Sequence, residues 1–504
     1  MANAPTARQK PFSAVDFFLE DLPRTLFPLN TNKVLVELGH AELLAYAEGL
    51  TAGDGTFLPQ RRVHANKDQL HLRRTVKLDA VAEFYFYHII HKNRAKFRRS
   101  HRTERRHFGY RFETGRPMSP SKSYADFKKV VADGIFPSEE FTYFDIASYF
   151  NGLYHHDLHA WFAALGPDDP ADVAAFGKFL REINAGRSLD CLPQGLYPAK
   201  MIGNDFLRFI EDSSAIRTDR IERFMDDVYL FGDDLNALTA DFSEVQRLLG
   251  LKGLSVNASK TRNAGSPWTD EADDQLSELK KRLLKRRRHL IISHYDEDED
   301  EDEDENRGEG DAELDEEEIE FIVSLLNAGS LSEEDAELIL VVMRDHVARI
   351  EQHLGVFASG FPHLAKNFFG LCGEATDKEA VARVVLEVAS GGDHVGEFQL
   401  FWFGMMLETY LLDTAAAPDL VHTLYRHESA TDISRAKILE IPDRRYGLPE
   451  MRESFLREGR SDWLAWASAV GSRNLDKQAR NYLLDYFANG SKTNRLIASI
   501  LQKA

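Results

Sequence analysis

Cysteine is nearly absent from this chain of 504 residues: Cys191 and Cys372 are the only two. That excludes a disulfide scaffold and a thiolate zinc site built from this chain alone, and it fits a reducing cytosol. Long apolar runs are missing as well. No stretch of about 18 apolar residues occurs, so no membrane-spanning helix is expected. The first residues, MANAPTARQKPFSAVDFF, lack the apolar core of a signal peptide, and a cytoplasmic protein is expected. An overall positive charge is also lacking, since the net charge is −20. Its distribution matters more than its total, because contacts to phosphate are local. Residues 296–318 carry seventeen Asp and Glu against one Arg, a local charge of −16, which leaves −4 for everything else. Lys92 to Arg111 holds nine Lys and Arg against one Glu, and Lys280 to Arg288 holds seven.

What is present is enough for packed cores: 43% hydrophobic and 11% aromatic residues. The length predicts two or three domains. Residues 1–70 mix short helical patterns with polar turns and read as an N-terminal extension. HLRRTVKLDAVAEFYFYHIIH (71–91) reads as a strand entering a helix, followed by the basic stretch with its interleaved aromatics. From there to about residue 272, helices alternate with strands. FTYFDIASYF is strand-like, CLPQGLYPAKMIGNDFLRF is a Pro-Gly turn leading into a helix, and ERFMDDVYLFGDD is a hairpin. This predicts an α+β core. Residues 273–318 read as a basic helix followed by an acidic low-complexity linker, which cannot bury a core. The linker is either an inert spacer or a nucleic-acid mimic lying on the basic residues 280–288. Residues 319–504 show recurrent helical periodicity and almost no strand signal, which predicts an all-helical, repeat-like domain.

Three carboxylates stand out. Asp226 and Asp227 sit between the apolar runs IERFM and VYLFG, and Asp145 interrupts another. An extended strand would send Asp226 and Asp227 to opposite faces, whereas a tight hairpin turn would bring both to its tip. Converging carboxylates suit hard cations, and a pair of such cations stabilises the attacking and leaving oxygens of phosphoryl transfer. The bland reading is surface turn aspartates, since Asp favours turns.

Four segments in order bear on that choice. DIASYF (145–150), LPQG (192–195), FMDDVYLFG (224–232) and GLSVNASKT (253–261) resemble the successive palm motifs of reverse transcriptases. The resemblance covers roughly residues 70–265. It implies a right-hand polymerase palm and fingers followed by the helical domain. It further implies an RNA-directed DNA polymerase, which takes deoxynucleoside triphosphates and uses Mg²⁺ or Mn²⁺. Asp145, Asp226 and Asp227 would then hold metal, with the backbone carbonyl of Ile146 as a further ligand and Asp227 as the weakest. Phe150 would gate the incoming sugar against a 2′-hydroxyl; its alternative is a core aromatic. Gln194 and Gly195 would contact the nucleotide or the template. Lys260 would approach the leaving pyrophosphate; its alternative is a solvated turn lysine. Arg111 and the basic stretch before it would lie over the triphosphate or the nucleic acid. Two departures occur: Pro198-Ala199 follows the PQG turn where many relatives carry a small hydroxyl residue, and one extra residue separates His156 from Trp161.

The segment MRESFLREGRSDWLAWASAVGSRNLDKQARNYLLDYF and the FGYRF before the palm resemble the bacterial abortive-infection and defence-associated reverse transcriptases. That implies antiviral defence and a homo-oligomer, a trimer or hexamer. It implies DNA synthesis that is either templated by a bound non-coding RNA or untemplated and primed on a protein hydroxyl. A catalytically silent RNA-binding scaffold and a retroelement reverse transcriptase are the competing readings.

Overall fold

Alternation along the strands sets the architecture. In a computed structural model the described residues are 11–135, 140–190, 192–263, 282–283, 286, 314–329, 331–392, 394–446 and 448–503. Their strands are β1 (Arg61–Asn66), β2 (Leu72–Lys77), β3 (Arg105–Phe108), β4 (Phe112–Glu113), β5 (Arg116–Pro117), β6 (Glu140–Phe144), β7 (Arg220–Phe224), β8 (Asp227–Gly232) and β9 (Arg262–Asn263). The protein is mixed α+β, with a five-stranded sheet in one unit and a largely helical second unit. Among the described residues no helix is long and apolar enough to cross a membrane.

The first unit comprises residues 1–28, 43–60 and 78–267. Its sheet runs β3-β7-β8-β6-β9, with β3 parallel to β7 and the other pairs antiparallel. Side chains alternate across the sheet with a period of two. Phe141, Tyr229 and Phe231 pack against Phe127 and Val131 of the helix Pro120–Ile135. The intervening positions turn the other way, and Phe144 meets Phe242 of the helix Leu235–Gly250 with ring centroids 5.2 Å apart. Both faces are covered, so the strands are anchored from two sides.

The second unit takes residues 29–42, 61–77 and 268–504. Residues 1–70, a single extension by sequence pattern, are therefore divided between the two units; periodicity reports local structure and not which segments pack together. The unit contains the β1–β2 hairpin, where Glu397 accepts the backbone N–H of His64 at 2.9 Å and the Thr431 hydroxyl at 2.5 Å. The rest is short helices whose starts are fixed by side-chain caps, among them Ser332, Asp377, Thr431, Asp462, Asp476 and Ser491. At its centre the fully buried Lys437 joins Glu408 and Glu440, and Glu440 also accepts the backbone N–H groups of Asn30 and Thr31.

Most of the acidic tract and of the basic segment 273–293 lies outside the described residues. The end of the tract is helical, not linker. Asp315 and Glu318 form a capping box for the helix Glu316–Asn327, whose acidic first turn complements the helix dipole. Glu318 is buried and also binds Arg286 of the basic cluster at 2.8 Å.

Gly490 gives a stability prediction. A Cβ there would run into the carbonyl oxygen of Gly459, a backbone atom that cannot rotate away. Gly490→Ala should cost about 1–3 kcal/mol, read as a lower denaturation midpoint at unchanged m-value.

Candidate active site

Register brings two of the carboxylates together. Phe144 pairs with Val228, so the next step along β6 and β8 sets Asp145 opposite Asp227. Strands β7 and β8 pair up to Phe224 and Asp227, which leaves Met225 and Asp226 as a two-residue turn. Met225 has φ +56° and Asp226 does not share the positive φ, the pattern of a II′-type turn with a methionine where glycine is usual. Holding an L-residue there costs roughly 1–3 kcal/mol.

Arg223 secures that turn. Its fully buried guanidinium donates to the Met225 carbonyl at 2.8 Å, to the Asn204 carbonyl at 2.9 Å and to Asn204 Oδ1 at 3.2 Å, and it pairs with the equally buried Glu211. Nothing in the pattern FMDD marks this arginine, because its role depends on two segments distant in sequence.

The carboxylates are held under electrostatic stress. Asp226 is pushed up to about 7, by burial first and then by the charge of Asp145, with which it shares a hydrogen bond. Burial also raises Asp227, against a hydrogen bond from the Tyr143 hydroxyl at 2.6 Å. Lys260 Nζ stands 2.8 Å from Asp145 Oδ2, and this bond holds its ammonium above the usual lysine range. The Asp145 carbonyl accepts from Asn257 N at 2.7 Å, and Ala147 N donates to Ser255 O at 2.8 Å. Those two bonds make the bridge between Ile146 and Val256, so the bridge leaves the Ile146 carbonyl unused.

Among the described residues no three His, Cys, Asp or Glu side chains are already gathered as a metal-holding group. Lys260 and Tyr143 engage two of the three carboxylates. The donor set nevertheless fits a hard cation. The buried Asp145 and the half-buried Asp226 and Asp227 present carboxylate oxygens at adjoining strand ends, and Asp226 retains its proton to about pH 7.

The remaining candidates are distributed as follows. Phe150 is buried, with its ring edge against Gly203, where an added Cβ would lie 3.1 Å from it. Gln194 and Gly195 form the turn before the helix Tyr197–Phe206, and Gly195 has φ +105°. Pro198 falls at the start of that helix, where a missing N–H costs nothing, which accounts for the departure at this position. The backbone N–H of Tyr197 is fixed by Asp21 at 2.8 Å. Arg111 is buried, and its guanidinium is bound within its own segment, to Glu113 at 2.8 and 3.0 Å and to the His107 carbonyl.

Much of the basic stretch around Arg111 is likewise engaged internally. Lys92 pairs with Asp169 and Asp172, Lys96 with Asp168, Arg99 with Glu113 and Arg106 with Glu222. Arg105 is buried and donates to four backbone carbonyls between Glu211 and Thr218. Charge density in the sequence predicts a nucleic-acid face here; in the structure these cations are paired with acids and carbonyls of the same unit.

No family model matches the chain, and no curated protein does. Among solved structures, a telomerase from Candida albicans in complex with a fragment of telomeric RNA is similar over 73% of this chain and 62% of that one. The identity is 10% and the TM-score 0.28, too loose a superposition to bear on the site. The chain thus spans less than two thirds of that neighbour's length.

Proposed function

We propose that this chain is a DNA polymerase of the reverse-transcriptase type that transfers deoxynucleotides with the help of a divalent cation. The observation that carries the reading is the placement of Asp226 in the strained turn, Asp227 at the start of β8 and Asp145 one step beyond β6 opposite it, with Lys260 against Asp145. Mg²⁺ or Mn²⁺ bound there would supply the positive charge that gathers the attacking 3′ oxygen and the triphosphate.

The residues divide the remaining work. Asp145 and Asp226 offer the carboxylate oxygens, and the Ile146 carbonyl a third donor. Asp227, with one oxygen on Tyr143, is the weaker partner. Lys260, exposed and held to Asp145 by one ion pair, would be the cation within reach of the polyphosphate once Asp145 served as a metal donor. The 3′ hydroxyl gives its proton to solvent as its oxygen bonds to the α-phosphorus, the bond from that phosphorus to the bridging oxygen breaks, and Lys260 protonates the departing pyrophosphate. Phe150, fixed against Gly203, stands under the sugar and excludes a 2′-hydroxyl. Gln194 and Gly195 line the approach of the base.

The test is incorporation of labelled deoxynucleotides by the full chain with Mg²⁺, with and without chelator, first without template and then on primed RNA. Incorporation should vanish with chelator. Lys260→Ala should lower kcat by about 10²-fold, as expected for loss of a general acid. Incorporation indifferent to both would sink the proposal. Product lost after nuclease treatment of the preparation would mark templating by bound RNA; product joined to the protein would mark priming on a hydroxyl. The likeness of the C-terminal helices to defence-associated enzymes extends the proposal to phage restriction. Fewer plaques on bacteria expressing the wild type than on those expressing Asp226→Ala/Asp227→Ala would support it, and equal plating would not.

A further inference from the structure

A line of rings and cations runs beside the carboxylate turn, and the chemistry described so far does not use it. Phe224, the β7 residue paired with Asp227, meets Tyr124 edge-on with centroids 5.0 Å apart and Tyr110 at 6.1 Å. Each tyrosine carries a cation over its face: Lys128 Nζ is 5.4 Å from the Tyr124 ring and Lys200 Nζ 5.1 Å from the Tyr110 ring. Tyr124 is 41% exposed although its neighbour Phe127 is in the core, so the helix Pro120–Ile135 turns an aromatic outward where a polar residue would serve solubility better. Lys128 is exposed and close enough to act on the Asp227 carboxylate. Rings that bases can stack on, alternating with cations that suit phosphates, are the recurring elements of single-strand recognition.

We infer that the strip Lys128–Tyr124–Phe224–Tyr110 binds the terminal nucleotides of a single nucleic-acid strand and presents its 3′ end to Asp145, Asp226 and Asp227. The inference rests on the polymerase reading and names the surface that holds the strand to be extended. Tyr124 stacks a base one or two nucleotides back from the end, Lys128 meets the phosphate beside it, and Phe224 lies under the terminal base.

The experiment is fluorescence anisotropy of a labelled 12-nucleotide single-stranded DNA, and of the RNA of the same sequence, with the full chain across a salt series and without divalent cation. Tyr124→Leu keeps apolar bulk but removes the stacking face, and should weaken binding about tenfold. Tyr124→Phe should bind as the wild type does. Lys128→Ala should reduce the slope of log K against log salt by about 0.7, the value for one phosphate of a single strand. Thermal midpoints of Tyr124→Phe and Lys128→Ala should stay at the wild-type value, and Tyr124→Leu, which gives up ring packing on Phe224 and Phe127, is compared below its own midpoint. Preference for DNA or RNA tells which strand is held. Wild-type affinity and salt slope in both Tyr124→Leu and Lys128→Ala would overturn the inference, as would a wild-type chain that binds neither strand at low salt. Incorporation assayed in parallel on the wild type separates this failure from failure of the polymerase reading: a chain that incorporates nucleotides but ignores Tyr124 and Lys128 overturns the strip alone.

Discussion

Asp226→Asn should make the protein inactive and more stable at once. The activity loss follows from removing a donor where charge develops. A bound cation supplies several kcal/mol of transition-state stabilisation, and about 4 kcal/mol corresponds to roughly a 10³-fold fall in kcat. The stability gain follows from the stress on the same carboxyl, whose titration is pushed from 3.8 to about 7 by burial and by Asp145. In the unfolded chain Asp226 loses its proton near 3.8, and in the folded chain only near 7. The folded state therefore carries no penalty at pH 3, an increasing one between about 4 and 7, and the full one above 7. With chelator present, Asp226→Asn should match the wild type at acid pH and exceed it at pH 8, by at most about 4 kcal/mol for a shift of this size. The measurement is the denaturation midpoint of both proteins across that range. An asparagine variant that is less stable at pH 8, or equally active with Mg²⁺, would mean that the carboxyl is not held under strain for a cation.

The readable part of this site is what a strand pattern can encode. The run FTYF before Asp145 and the two apolar runs around Asp226-Asp227 announce strands and a hairpin, and the sheet contains them as β6, β7 and β8. Of the two expectations for the acidic pair, the hairpin turn is the one realised, through Met225 and Asp226. Pairing partners are not written locally, so that β6 and not another strand lies beside β8 comes only from the register of Phe144 with Val228. The basic stretch from Lys92 to Arg111 shows what composition leaves out. Its composition suggested a surface for nucleic acid, but its acidic partners lie far along the chain, at Asp168, Asp172 and Glu222. The rings of Tyr110, Tyr124 and Phe224 are as scattered in sequence, and no motif joins them.

Arg223 decides whether the turn is merely present or is set for chemistry. Arg223→Met should cost about 3–5 kcal/mol, because it leaves the buried Glu211 without its counter-charge. Burial already pushes the Glu211 carboxyl up against the pull of Arg223. Replacing both, as Arg223→Met/Glu211→Met, removes the unpaired charge and should recover most of that loss, since apolar pairs often substitute for buried ion pairs. The carbonyls of Met225 and Asn204 still lose their donor in the double variant. Met225 is then free to leave its positive φ and take Asp226 with it. A displacement of about 1 Å at a reacting centre costs on the order of 10² in rate. The double variant should therefore melt close to the wild type yet show kcat about 10²-fold lower, with KM for the nucleotide little changed. Adding Met225→Gly, which accepts φ +56° without strain, should return part of the rate. If the double variant regains both stability and kcat, Arg223 serves packing alone, and the Met225 turn holds Asp226 without its help.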